Sequence, residues 1–443
     1  MKIVQLTPGA GGMYCGNCVH DNALVAALRR LGHDAVMLPL YLPLRLDETD
    51  QSAGQPVFFG GINVYLEQKS ALYRRAPRWV RRLLNSRRLL ALAAGRAAKT
   101  RPDQVGDLLL SMLRGEHGHQ NRTLTELIEW LRQHARPDVV CLSNALLVGM
   151  ARRIRHELAV PVVCLLQGEE PYLEALPTAY RESAWALMTE RAADVRAWIA
   201  PSRWAANRMA ARLGLDQARV HVAHDGINLE GFAGPAAAAA GRTGQPAGRD
   251  AARVLGFFAR MCPEKGLDTL VEAFIALKRR GRVPRLKLHV GGSCGPGDEP
   301  FVRQLRQRLA EAGFVGEVMF APNPTRAEKL AFLSALSVFS VPALYGEAFG
   351  LYLLEAMAAG VPVVQPAHGA FPEIVAATGG GLLYKPTGPE SLAEAVEQLL
   401  LDPVRARALG AAGQRAVFEK FSADAMARAT LEVFQTAVAA GAA

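Results

Sequence analysis

No run of about eighteen apolar residues free of charge occurs in the 443-residue sequence, so no membrane-spanning helix is expected. No signal peptide precedes the first apolar stretch, which favours a cytoplasmic location. Cysteines are few: Cys15, Cys18, Cys141, Cys164, Cys262 and Cys294. Most sit in or beside strands or loops of an α/β pattern, so reduced thiols are expected rather than bridges. Cys15 and Cys18 form a Cys-x-x-Cys, open to use as a redox pair or half a zinc site. No second such pair and no nearby pair of histidines completes a zinc set. No Asp-x-Asp stands at a strand end, so neither a metal nor another cofactor is expected. Aromatics make up only 7% of the chain while half of it is hydrophobic. Alanine is abundant, as in helix-rich α/β proteins, and the length supports two sizeable domains. No internal repeat is evident.

Acidic residues are the minority charge. The net charge is +10, which suits anionic partners. From Gln68 to Pro102 the chain carries eleven Lys or Arg and no Asp or Glu. Trp79, Val80, Leu83, Leu84, Leu89 and Leu90 are interleaved with them. Such a basic amphipathic segment can lie peripherally on an anionic membrane, here the inner membrane face. The alternative is a solvated helical insertion, spanning about 68–134, that bridges acidic surface of the same protein. No nucleic-acid-binding motif accompanies the charge, so no nucleic-acid partner is expected.

The chain opens with a strand pattern at Lys2 to Leu6, a glycine loop from Pro8 to Gly12, a helix from Asn17 to Leu31 and a second strand from Ala35 to Leu40. This is a Rossmann-type opening without the dinucleotide fingerprint. Tyr14 holds the place of the last glycine, and the second strand ends in Leu40-Tyr41 with no acid for a ribose. A nicotinamide enzyme is therefore disfavoured. Pro56 to Tyr65 reads as a strand pair or a bulged strand. Further strands follow at Asp138–Leu142, Val160–Leu166 and Ala197–Ser202, with helices between. Phe232 to Ala252 is rich in Ala, Gly and Pro without apolar period, the composition of a linker. A strand then restarts at Val254 and leads into a loop holding Arg260 and Lys265.

The most informative stretch runs from Leu344 to Val364. An apolar strand ends at Pro342, a loop carries Glu347, Gly350 opens a short helix, and Gly360 with Pro362 closes it before the next strand. Glu355 stands inside that helix with almost no other polar side chain. A carboxylate so placed is costly unless paired or hydrogen-bonded. Ligand hydroxyls would serve, or the side chain faces solvent on an amphipathic helix. The amides of Phe349, Gly350 and Leu351 fall at the helix start, where donors and dipole favour an anion. Sugar hydroxyls, diphosphate and ribose hydroxyls together make a nucleotide sugar.

Glu347 and Glu355, eight apart around Ala-Phe-Gly-Leu, resemble the paired-glutamate motif of retaining glycosyltransferases. The run Glu-Ala-Met-Ala-Ala-Gly-Val-Pro-Val-Val resembles glycosyltransferase family 4, the glycogen-synthase-like group. That resemblance implies an α/β fold of GT-B type: two Rossmann-like domains facing across a cleft, with the C-terminal helix crossing back to the first domain. The expected parts are an acceptor domain over 1–231, a linker over 232–252, a donor domain over 253–420 and a returning helix over 421–443. The implied activity is transfer of a sugar from a nucleotide-sugar donor, with retention and without a metal, to an acceptor that the sequence does not identify. Arg260 and Lys265 match the family's phosphate-binding loop and, with Glu347, form the implied catalytic set. Glu347 would hold sugar hydroxyls, Glu355 the ribose, and the amides near Gly350 the diphosphate. Asn323, in Pro-Asn-Pro, matches the place where the family holds the base. Gly11 and Gly12 match a Gly-Gly pair that approaches the donor phosphate or the acceptor; read alone they are a tight turn. Where many members carry a histidine at a strand end, this chain has Gln167, followed by Glu169 and Glu170. His368 lies in a stretch resembling a family loop near the donor. A non-catalytic nucleotide-sugar binding protein and a phosphorylase of similar shape are the competing readings.

Overall fold

The computed structural model describes residues 1–9, 16–44, 46–70, 73, 77, 84, 102–235 and 252–441. Gly11, Gly12 and Cys15, nearly all of the basic block and most of the expected linker lie outside the described residues. The chain divides into two compact units, Met1–His224 with Met426–Ala443, and Asp225–Ala425.

In the first unit the described strands are β1 (Lys2–Thr7), β2 (Asp34–Pro39), β3 (Val139–Leu142), β4 (Val162–Leu165), β5 (Ala197–Ala200) and β6 (Val220–Val222). All neighbours pair parallel, in the order β2-β1-β3-β4-β5-β6. β3 and β4 both read Val-Val-Cys-Leu and are buried throughout. Continuous apolar strands of this kind belong to a parallel sheet covered on both faces. The helix Gly16–Arg30 buries Leu24, Val25 and Leu28. The chain runs from β1 outward to β2, then returns to β3 on the other side of β1. Such a reversal leaves a crevice at the carboxyl ends of the flanking strands. The helix Ala423–Ala439 joins this unit from Met426 onward, and the Arg196 guanidinium donates to the Ala440 carbonyl at 3.1 Å.

The second unit holds β7 (Arg253–Phe258), β8 (Leu286–Gly292), β9 (Val318–Pro322), β10 (Val338–Phe339), β11 (Val363–Pro366) and β12 (Gly381–Tyr384). They form a parallel sheet in the order β12-β11-β10-β7-β8-β9. Its core is built on fully buried Phe257, Phe274, Phe339 and Phe371. Each such ring contributes roughly 1.5–3 kcal/mol by burial. Here the strand order reverses between β7 and β10, so the loops that follow those two strands become neighbours. Gly266 makes their approach possible. It has φ +70°, and a Cβ on it would fall 1.9 Å from the Pro342 carbonyl oxygen. The Leu344 amide then donates to the Glu264 carbonyl at 3.0 Å.

One sequence expectation is corrected. Pro56–Tyr65 is not a strand pair; an irregular stretch leads into the helix Gly61–Lys69. Ile62 and Val64 favour a strand locally, but Asn63, Val64 and Glu67 are buried together at helical spacing, and the Gly61 amide is anchored on the Tyr41 carbonyl at 3.0 Å. Tertiary packing overrides the local preference. By contact, the first unit runs to His224 and the second begins at Asp225. Ile227 is the reason: its amide donates to Phe421 at 3.0 Å and its carbonyl accepts from Ala423 at 2.8 Å, tying the segment into the second unit.

Candidate active site

The loops after β7 and β10 bring together Lys265, Tyr345 and Glu347, joined by Tyr352 from the helix Leu351–Ala358. The Lys265 ammonium donates to Glu347 Oε2 at 2.6 Å and to the Tyr345 hydroxyl. The Tyr352 hydroxyl donates to the same Glu347 oxygen at 2.8 Å. Lys265 Nζ also lies 5.0 Å from the Tyr345 ring centre and 5.4 Å from that of Tyr352, within cation–π range. Burial alone would push the Lys265 ammonium down; the Glu347 carboxylate, helped by Tyr345, outweighs it and holds the ammonium above its ordinary value. Burial, then the Glu347 charge, pushes both tyrosine hydroxyls up, so they stay protonated donors.

A third loop braces this network. Gly369, in the left-handed region at φ +60°, lies so close that a Cβ would fall 2.6 Å from the Glu347 amide nitrogen. The Ala370 amide donates to the Glu347 carbonyl at 2.9 Å. His368 sits in this brace with its ring 5.9 Å from Phe371. Burial pushes its imidazole down, against an opposing backbone hydrogen bond at Ala343 and the Glu347 charge.

The second glutamate is separate. Glu355 pairs with Lys329 at 2.8 Å, and the lysine side chain is only 4% exposed. Lys329 comes from the helix Arg326–Ser334, fixed at its start by a Thr325–Glu328 capping box. The isolated carboxylate of the apolar helix is thus neither solvent-facing nor unpaired. Gly350 caps that helix at φ +103°, and Phe349 beside it is buried. Leu351 is the first helical residue.

Arg260 and Lys265 hold different carboxylates. The Arg260 guanidinium grips Asp298 with Nη2–Oδ1 at 2.9 Å and Nε–Oδ2 at 3.1 Å. The hydrogen bonds to Asp298, more than offsetting burial, raise its already high pKa. Asn323, at φ +53°, spends its amide on Cys294, accepting from the backbone nitrogen at 3.1 Å and donating to the carbonyl at 2.9 Å. It shapes the loop after β8.

In the first unit the polar groups gather at the carboxyl ends of β1, β3 and β4. Thr7 donates to Asp21, which lies 3.1 Å from His20 Nδ1. Gln167 Nε2 approaches the His20 ring nitrogens at 3.4 Å. Asp21 is fully buried and His20 is 4% exposed. Glu169 accepts from the Ala145 amide at 2.8 Å and the Gln167 amide at 3.2 Å, tying the turns after β3 and β4 together. Burial pushes its carboxyl up against those backbone hydrogen bonds.

Sequence reasoning missed Lys329, Tyr345, Tyr352, Asp298 and His20. A signal existed for three of them: Tyr345 and Tyr352 flank Glu347 in the motif stretch. His20-Asp21-Asn22, a polar triplet at the start of a helix that should bury one face, was the other available cue.

Residues 245–416 match the family model for glycosyl transferases group 1, and residues 89–230 that for glycosyltransferase family 4. The chain is 37% identical over 239 residues to a D-inositol 3-phosphate glycosyltransferase of Kineococcus radiotolerans, covering 51% of this chain and 53% of that one. It is 31% identical over 276 residues to a GDP-mannose-dependent alpha-(1-6)-phosphatidylinositol monomannoside mannosyltransferase of Mycolicibacterium smegmatis, covering 61% of this chain and 68% of that one. The chain therefore spans about half the length of the first relative and about two thirds of the second. Among solved structures, sucrose-phosphate synthase from Thermosynechococcus elongatus superposes with a TM-score of 0.68 at 20% identity, covering 99% of this chain and 100% of that one. HepE of Anabaena, solved with UDP-glucose, does so at 0.66 and 17%, covering 98% and 100%. At these identities the structural likeness is one of fold, GT-B. Both halves of the chain carry the match, and the chain belongs to glycosyltransferase family 4.

Proposed function

We propose that the chain is a retaining glycosyltransferase that moves a sugar from a nucleotide-sugar donor to an acceptor hydroxyl. The observation that carries this reading is the buried Lys265–Glu347 pair, framed by Tyr345 and Tyr352, where the second sheet reverses its strand order. An open α/β sheet binds its ligand at that place. In this reading Glu347 accepts sugar hydroxyls, and Lys265 turns to the diphosphate as charge grows there in the transition state. Arg260, half-exposed on Asp298, and the amides near Gly350 add to that stabilisation. Glu355, fixed by Lys329, accepts the ribose hydroxyls, and Asn323 shapes the loop that receives the base. In the transfer, the bond from the anomeric carbon to the diphosphate oxygen breaks and one to the acceptor oxygen forms on the same face. The acceptor proton passes to the departing phosphate. No described side chain is assigned as a nucleophile. Gly11 and Gly12, by their match, would approach the donor phosphate or the acceptor.

Both named relatives act, by their names, on inositol-containing acceptors, one of them a lipid. That supports a hydroxyl acceptor and peripheral contact of the basic block with an anionic membrane. The test is a panel of nucleotide sugars with the purified chain, run in chelator, with product anomers read by NMR. Binding of a nucleoside diphosphate and an anomer matching the donor's are expected; an inverted product overturns the reading.

A further inference from the structure

The first unit has a cavity of about 180 Å³ at the carboxyl edge of its sheet. Leu109 and Met112 of the helix Pro102–Leu113 form one wall, Leu146 of the turn after β3 another, and Pro8, Tyr41 and Tyr172 close the rim. Among the described residues, no Lys, Arg, Asp or Glu lines it. Of its remaining polar groups, Asn144 already spends its side-chain oxygen on the Leu146 amide at 3.1 Å. Water in so apolar a space finds too few hydrogen-bond partners, and apolar cavities of about 150 Å³ are known to take a benzene-sized guest. Tyr172 is 41% exposed at the mouth.

The surroundings say which end of a ligand goes where. Pro8 follows Thr7, whose hydroxyl begins the chain Thr7–Asp21–His20–Gln167. An apolar cavity thus borders a buried hydrogen-bonding cluster, across the ends of β1, β3 and β4. We infer that this cavity seats a short, uncharged alkyl or aryl group of the acceptor, next to the hydroxyl to be glycosylated. The inference rests on the glycosyltransferase reading and adds the acceptor's class: an amphiphilic small molecule, with its polyol or hydroxyl end toward His20 and Gln167. The volume excludes a nucleotide or a peptide, and the uncharged lining excludes a phosphate inside it.

The test is calorimetry on the full chain with methyl, hexyl and octyl β-D-glucoside, each in the monomeric range, and with UDP and GDP in parallel. Hexyl glucoside should bind about tenfold or more tighter than methyl glucoside, since each buried methylene adds to affinity. Octyl should add little beyond hexyl, because the cavity is full. Leu146→Trp, which fills the cavity from a half-buried position, should abolish the hexyl advantage and leave nucleotide binding unchanged. Tyr172→Ala, at the exposed rim, should reduce that advantage severalfold and serves if the tryptophan variant does not fold. Equal affinity for methyl and hexyl, an affinity still climbing from hexyl to octyl, or an undiminished hexyl advantage in a variant that binds nucleotide would overturn the inference. Loss of UDP and GDP binding with the chain-length effect intact would instead overturn the donor reading and leave the cavity assignment standing.

Discussion

Lys265 and Glu347 are 82 residues apart in sequence and 2.6 Å apart in space, with the lysine side chain 18% exposed and the carboxylate 14% exposed. Each is the other's neutralising partner. A donor whose phosphates draw Lys265 away must give Glu347 new donors in exchange, and sugar hydroxyls are suitable. In the proposed reading, the pair would couple phosphate binding to sugar binding.

Glu347→Gln should abolish transfer. It should also lower stability by roughly 1–3 kcal/mol, because a largely buried ammonium loses its counter-charge. Adding Lys265→Met should recover most of that stability without restoring transfer, since the two residues are directly coupled. Thermal unfolding of the three proteins checks the first part and a transfer assay the second. Wild-type turnover in a folded Glu347→Gln protein would refute the role.

Arg260→Ala and Lys265→Ala should each weaken nucleoside diphosphate binding by about one to two decades, the worth of a charged hydrogen bond. Lys265→Ala should destabilise the fold and Arg260→Ala should not, because Arg260 is half-exposed on Asp298. Calorimetry with unchanged affinity in both variants would remove both from the donor site.

The network also sets an alkaline limit. Lys265, Tyr345 and Tyr352 all have raised native values, so above their ordinary 10.5 and 10.0 the unfolded chain releases protons that the native chain keeps. Their contribution is complete below those values and lost as pH climbs toward the native ones. Stability should hold to about pH 9 and then fall, with tyrosinate absorbance appearing together with unfolding. Tyr352→Phe should make the fall shallower. Free tyrosine titration in a still-folded protein would contradict the burial of these hydroxyls.

Lys329→Met should be strongly destabilising, by about 3 kcal/mol, since it strands Glu355 in an apolar helix. Lys329→Met with Glu355→Leu should regain stability yet bind nucleosides poorly if Glu355 holds the ribose. Unimpaired nucleotide affinity in the double variant would reduce Glu355 to a structural charge.

The basic block should carry the chain onto acidic vesicles. Each Lys or Arg near such a surface adds about 1 kcal/mol at most, and salt screens it. Sedimentation with anionic vesicles should therefore weaken steeply with salt. It should also weaken on changing Arg74, Arg75, Arg81 and Arg82 to Gln. Equal partitioning of the two proteins would leave the block as an insertion only.

Much of the fold is legible in the amino acids because parallel strands between helices leave short apolar runs, such as Val139–Leu142 and Val162–Leu165, cut by glycine and proline. The glutamates and Lys265 are legible because they stand in two loops and a short apolar helix with a distinctive spacing. Their partners are not. Lys329 looks like any lysine of an amphipathic helix, and only the folded chain shows that its ammonium is buried on Glu355. Arg260 and Asp298 sit 38 residues apart, and nothing local links them. The helix Gly61–Lys69 was hidden for the opposite reason, since its β-branched residues speak locally for a strand.

Gly369 sets a boundary for anyone who would redesign this chain. A side chain there would displace the backbone of Glu347 itself, and one at Gly266 would drive the loops after β7 and β10 apart. Libraries aimed at a new donor should hold those positions constant and spend their diversity elsewhere. Tyr345 and Tyr352 are the better targets: they touch Lys265 and Glu347 through side chains alone, so changing them alters the chemistry while the main chain keeps its course.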